Sequence, residues 1–230
     1  MDDTVGVRVL CLAVCCVALT LAAETKQPCQ PPPLSSGEMA VTAARGMQAG
    51  QGPYSYDSQG KRLRFTDDES KVMKRPAYLD LLFLFQEGIF YEMNKKTSTC
   101  KKRPLLSSLH PMEVQPNMTD IGEMYLGSRV ENGQGISLNN WVMVIPDYGA
   151  FVVSTSTGCL SLSSVLFTQS KDLLMFSMLD VTREVKDPAV FQPPPFCNGV
   201  PLESEGNSLF GVFLNQANAQ VFTETFPKHR

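Results

Sequence analysis

The chain has few residues suited to catalysis: of its 230 residues only 2 are histidines. His110, just before Pro111 in a segment that reads as loop, is the only one in the middle of the chain. A hydrolase would need His110 as its base, and no pattern nominates a serine partner. The G-x-S-x-G elbow, the H-E-x-x-H pair and the glycine-rich phosphate loops are all missing from the sequence. Zinc is not indicated either, because the cysteines lie far apart and His110 has no second histidine nearby. Asp67-Asp68-Glu69 could give oxygen ligands to calcium, but it lacks the spacing of an EF-hand loop and reads as a solvated turn. These residues point away from an enzyme and from any organic cofactor, and towards a binding protein.

Two other groups of residues carry chemistry. Lys95, Lys96, Lys101, Lys102 and Arg103 crowd around Cys100 in a chain whose net charge is −3. Such a run is usually a solvated loop; its functional reading is a patch for anionic partners such as sulfated glycans or lipid headgroups. The mild overall acidity argues against nucleic acid as a partner. Asn117-Met118-Thr119 is a glycosylation sequon in a polar stretch after Pro116, where it should be exposed.

Compartment decides how the cysteines are read. Residues 9–23 form an uncharged apolar run of 15, shorter than the ~20 residues that a membrane span needs. With Thr20 and Ala22 at its end, the run fits a secretory signal peptide over residues 1–22. The chain is therefore expected to be secreted, with no transmembrane segment once processed. Cys11, Cys15 and Cys16 leave with the signal, while Cys29, Cys100, Cys159 and Cys197 remain. Four cysteines in an oxidising compartment imply two disulfides, for which the count leaves three connectivities open.

The elements that position these residues follow a period of two. Tyr54 and Tyr56 alternate up to a turn at 57–60, and Leu63 and Phe65 resume beyond it, which predicts a hairpin. Residues 78–93 predict a second hairpin, with Leu79, Leu81, Phe83 and Phe85 on one face, a turn at Gln86-Glu87-Gly88, and Ile89, Tyr91 and Met93 on the return strand. Further strands are expected at 122–128, 135–145, 150–157, 160–168 and 172–183, giving an antiparallel all-β domain over residues 23–206. Residues 207–230 read as a helix or tail, with Leu209, Phe210, Val212 and Phe213 at helical spacing. Several strands are apolar on both faces, as in 81–85, 141–145 and 173–176, so both faces are covered or one lines a cavity.

QPCQPPPLSSG at 27–37, FTDD at 65–68, FQEGIFYEMN at 85–94, EMYLGS at 123–128 and VKDPAVFQPPPFCNGV at 185–200 together resemble the ependymin family over nearly the whole processed chain. The leader and the four cysteines are closer to ependymins proper than to the ependymin-related branch, whose third bridge has no cysteines here. The resemblance implies two stacked antiparallel sheets in a half-open barrel, similar to bacterial lipoprotein carriers, with an apolar pocket for lipids between them. It also implies a secreted, extracellular, usually dimeric glycoprotein, with lysosomal relatives, calcium binding partly through glycans, and a role in cell–matrix adhesion. By position it implies the bridges Cys29–Cys159 and Cys100–Cys197. The pocket candidates are then Phe83, Phe85, Ile89, Trp141, Met143, Phe151, Phe176 and Met178, although a register slip of one residue would swap the set. The competing expectation is an extracellular-matrix interaction protein without a ligand cavity, acting through the basic cluster.

Overall fold

The computed structural model describes residues 26–43, 48–68, 79–106, 109, 111–146, 149–168 and 173–213. Eleven strands form one antiparallel sheet. In chain order they are β1 (Leu34–Ala43), β2 (Gln48–Asp57), β3 (Arg62–Thr66), β4 (Asp80–Leu84), β5 (Ile89–Asn94), β6 (Thr99–Pro104), β7 (Thr119–Gly127), β8 (Gly135–Ile145), β9 (Gly149–Ser156), β10 (Ser161–Thr168) and β11 (Leu173–Thr182). Their order across the sheet is β6-β5-β4-β3-β2-β1-β11-β10-β9-β8-β7. Each half is a meander, and the halves join where β1 pairs with β11, Met39 opposite Met178 and Val41 opposite Phe176. The sheet ends at β6 and β7 and does not close. The two expected sheets are thus halves of one continuous ribbon, an all-β half-open barrel.

The predicted hairpins form for local reasons. At the β2–β3 turn the Asp57 carboxylate accepts the N–H groups of Gln59 at 3.1 Å and Gly60 at 2.7 Å, a side-chain mimic of a backbone turn. At the β4–β5 turn Gly88 has φ of +64°, a left-handed conformation that glycine adopts without steric cost. β6 has no counterpart among the expected strands. Its lysines read as a charged loop, yet Lys101 pairs with Glu92 and Cys100 with Met93.

Residues that are apolar on both faces have two different explanations. In β4, Leu81 and Phe83 point into the main core, while Leu82 and Leu84 join a second cluster with Ile89, Tyr91, Met93, Phe191 and Cys197. The second cluster is the outer face of β4 and β5, covered by the segment that carries two short 3-10 helices, Pro188–Phe191 and Pro195–Cys197. That segment is fixed by the Cys100–Cys197 disulfide and by the Arg62 guanidinium, 4.9 Å above the Phe191 ring. On β8 to β11, Val142, Val152, Val165 and Met175 stand opposite one another, as do Val144, Ala150, Phe167 and Leu173. This outer face is open: Val144 is 74% and Phe167 44% exposed.

Candidate functional site

The inner faces of the two halves enclose the main core. Met39, Tyr54, Leu63, Phe65, Phe83 and Phe90 come from one half. Trp141, Phe151, Val153, Leu166, Leu174, Phe176 and Met178 come from the other. Of the predicted pocket residues, Phe83, Trp141, Phe151, Phe176 and Met178 are buried in this cluster, and Phe85 and Met143 pack against it. Ile89 requires a correction. It pairs with Leu84, while Phe90 pairs with Phe83; opposite residues share a face, so Phe90 points inward and Ile89 joins the outer cluster.

Two segments outside the sheet sit between the halves. Residues 111–118 lie against the interior cluster as a strap that buries Met112, Val114 and Met118 and leaves Pro116 and Asn117 exposed. The Tyr56 hydroxyl donates to Glu113, Lys61 Nζ lies 2.5 Å from the same carboxylate, and Ser161 Oγ donates to the Pro111 carbonyl at 2.9 Å. The strap is thereby tied to β2 at one side and β10 at the other. Burial, together with the adjacent Glu113 charge, drives the Tyr56 hydroxyl well above its ordinary pKa, so it stays a neutral donor.

The second segment is helical over the described residues 209–213. Its Leu209, Phe210 and Phe213 are almost fully buried. The Phe210 ring lies 5.4 Å from Phe151 and 5.4 Å from Phe176. Phe213 lies 5.4 Å from Phe65 and 5.3 Å from Phe176. All four contacts are edge-to-face, the favoured arrangement for aromatic pairs. Helical spacing was legible at these positions; that they would enter the interior was not.

Ser164 adds one polar feature. It stands on β10 between Val153 and Phe176 in register and is fully buried. Its Oγ has no hydrogen-bond partner among the described residues.

At the far end of the interior, Cys29 is bonded to Cys159. Near this bridge Trp141 donates its indole N–H to Thr155 Oγ1 at 3.4 Å. Both disulfides follow the pairing implied by the resemblance.

The remaining sequence-predicted residues are dispersed. Lys102 stands opposite Tyr91 and lies 5.8 Å from its ring. Arg103, opposite Phe90, is drawn to the other face. There it pairs with Glu203 at 2.7 Å and Glu92 at 3.2 Å, and the Glu203 hydrogen bond raises its pKa. Lys95 and Lys96 lie in the β5–β6 turn. The basic cluster is thus divided between two faces and a turn. Asn117 is exposed, in the turn before β7. Asp67 accepts the Gln51 N–H at 3.1 Å. His110, Glu69, the expected signal peptide at 1–22 and residues 214–230 lie outside the described residues. An outer cleft of about 400 Å³, lined by Arg64, Thr66, Lys95 and part of the 187–195 segment, lies on the opposite side of the sheet from the interior.

The family model for ependymin matches residues 73–197. Ependymin of Clupea harengus is 43% identical over 207 residues, covering 89% of this chain and 97% of that protein. The chain belongs to the ependymin family. Ependymin-2 of Carassius auratus is 37% identical, covering 90% of this chain and 98% of that protein. Mammalian ependymin-related protein 1 of Mus musculus is 24% identical, covering 85% of this chain and 88% of that protein. The chain is therefore nearer to ependymins than to this ependymin-related protein. In fold it is similar to an uncharacterized conserved protein from Thermus thermophilus, with a TM-score of 0.50 at 10% identity, over 75% of this chain and 91% of that one. Among the described residues no helix is long and apolar enough to cross a membrane.

Proposed function

We propose that this ependymin is a secreted, extracellular, disulfide-bonded glycoprotein that binds an apolar molecule, such as a lipid, between the two halves of its sheet. The observation that carries the reading is how the interior is filled. The aromatic contacts linking β3 with β9 and β11 pass through Phe210 and Phe213, which belong to no strand. A core closed by an insert, rather than by interlocking strands, can exchange that insert for a ligand of similar apolarity. The unpartnered Ser164 hydroxyl supports an amphipathic ligand with a carboxyl or hydroxyl end, because an unpaired buried polar group costs ~1–3 kcal/mol that such an end would recover. Mass spectrometry of an organic extract of the purified protein, followed by titration with a fluorescent fatty acid, tests this. Co-purified lipid or saturable uptake supports it; an empty protein that also ignores the probe overturns it.

A second copy of the chain is the proposed occupant of the open outer face of β8 to β11. Its two uncharged rows suit a self-complementary two-fold contact. Light scattering should give a dimer mass for the native chain and a monomer mass for Val144→Lys/Phe167→Lys. A monomeric native chain would exclude this contact. We also propose calcium binding and a role in cell–matrix adhesion, a reading that rests on the family and on a glycan at Asn117. Among the described residues no group of His, Cys, Asp or Glu side chains could hold a metal ion.

A further inference from the structure

The C-terminal segment runs along β6, with bridges Lys102–Leu202 and Leu105–Asn207, before it enters the interior. Asn207 donates its N–H to the Pro104 carbonyl and accepts the Leu106 N–H, each at 3.0 Å. These two bonds dock the segment against the end of β6. Beyond that point the chain turns inward through a small cap, in which Ser208 Oγ accepts the Gly211 N–H at 2.9 Å. The helix that begins at Leu209 takes its stability, like most helices in proteins, from packing its apolar face rather than from propensity. Its hold therefore depends on burying Leu209, Phe210 and Phe213.

The opposite wall has room for it. On β2, a Cβ placed on Gly50 would lie 3.0 Å from Phe213 Cε1 and 3.1 Å from Phe65 Cζ. The strand thus carries no side chain where the Phe213 ring lies. Phe210 contacts Phe151 and Phe176, so the segment covers residues that an apolar ligand would need, and it lies beside the Ser164 position of the β10–β11 ladder.

We propose that residues 209–213 are the resident plug of the interior, and that an apolar ligand enters by displacing them around a hinge at 207–208; this rests on the ligand-binding reading above. Exchange of two phenyl rings for an acyl chain replaces one buried apolar surface by another. The two states are then close in free energy, and ligand concentration selects between them. The plug lowers apparent affinity by the fraction of molecules in which it is seated.

The test compares the full chain with Phe210→Ala/Phe213→Ala, using an undecanoic acid carrying a dansyl group as probe. Near-ultraviolet circular dichroism checks that the variant is folded. The variant is expected to bind about tenfold or more tightly, since a tenfold change needs only ~1.4 kcal/mol of plug stability. In the native chain, saturating probe should accelerate amide exchange at Gly211 and Val212. Equal affinity in the two folded proteins overturns the plug and leaves the ligand site standing. Absence of binding by both overturns the plug and the ligand site together. If the variant does not fold, the exchange measurement on the native chain decides, and protection unchanged by probe overturns the plug.

Discussion

Phe213 meets Phe176 edge-to-face, with ring centroids 5.3 Å apart and planes at 88°. One ring belongs to a strand that pairs on both sides, the other to the helix that begins at Leu209, just after the segment docks on the sheet. The same contact therefore weighs differently on its two partners. Phe176→Ala leaves a void in a fixed wall and should cost ~3–5 kcal/mol. Phe213→Ala can cost no more than the free energy that seats the plug, and should lose less than half as much. Urea denaturation of both variants checks this. Equal losses would mean that the segment is an ordinary part of the core.

Ser164→Ala should separate stability from binding. Removing an unpartnered buried hydroxyl should leave stability unchanged or raise it by ~1 kcal/mol. Affinity for a fatty acid should fall severalfold, and affinity for a hydrocarbon of equal length should hold. Equal effects on the two ligands would place the polar end elsewhere.

On the outer side of the sheet, Arg64 Nη2 lies 2.5 Å from Asp80 Oδ1, and the Asp80 side chain is completely buried. Asp80→Ala removes a buried carboxylate from the Arg64 guanidinium and should cost ~3–5 kcal/mol. The double variant Arg64→Met/Asp80→Leu should recover much of that loss, because it removes both charges. A double variant as unstable as Asp80→Ala would show that packing, not charge, dominates there.

The β2–β3 turn predicts a pH dependence. Burial opposes ionisation of Asp57, but the Gly60 N–H, the Arg62 guanidinium and the Gln59 N–H outweigh it and hold the carboxyl below its ordinary pKa. A carboxylate with a lowered folded pKa adds stability that is complete above its unfolded value of ~3.9 and is lost as pH falls through the folded value. Asp57→Asn should therefore cost ~1.5 kcal/mol at pH 7, and the gap should narrow below about pH 4. A gap that stays constant down to pH 3 would exclude the carboxylate as its source.

The two hairpins were readable because alternation and turn residues agreed, at Asp57-Ser58-Gln59-Gly60 and at Gln86-Glu87-Gly88. β6 escaped because Lys101, Lys102 and Arg103 obscure its pairing with β5, which only the sheet order reveals. The inward set was nearly legible, but Ile89 shows the limit: the turn fixes whether residue 89 or 90 faces Phe83, and composition does not. Helical spacing at 209–213 gave the local form of the plug. Where it docks depends on contacts with strand residues far earlier in the chain, Phe65, Phe151 and Phe176, and no periodicity carries that information. The cysteine count left the disulfide pairing open and the family resemblance supplied it; spacing could not, because Cys197 reaches Cys100 only by crossing the outer face of β4 and β5.

Trp141 is the chain's single tryptophan and is fully buried in the interior cluster. Its fluorescence therefore reports on that space alone. Titration of the native protein with a brominated fatty acid, a short-range quencher, should extinguish this emission saturably, while the unbrominated acid should not. Emission that remains unquenched at concentrations where the fatty acid is bound would place the ligand outside the sheet and contradict the interior site.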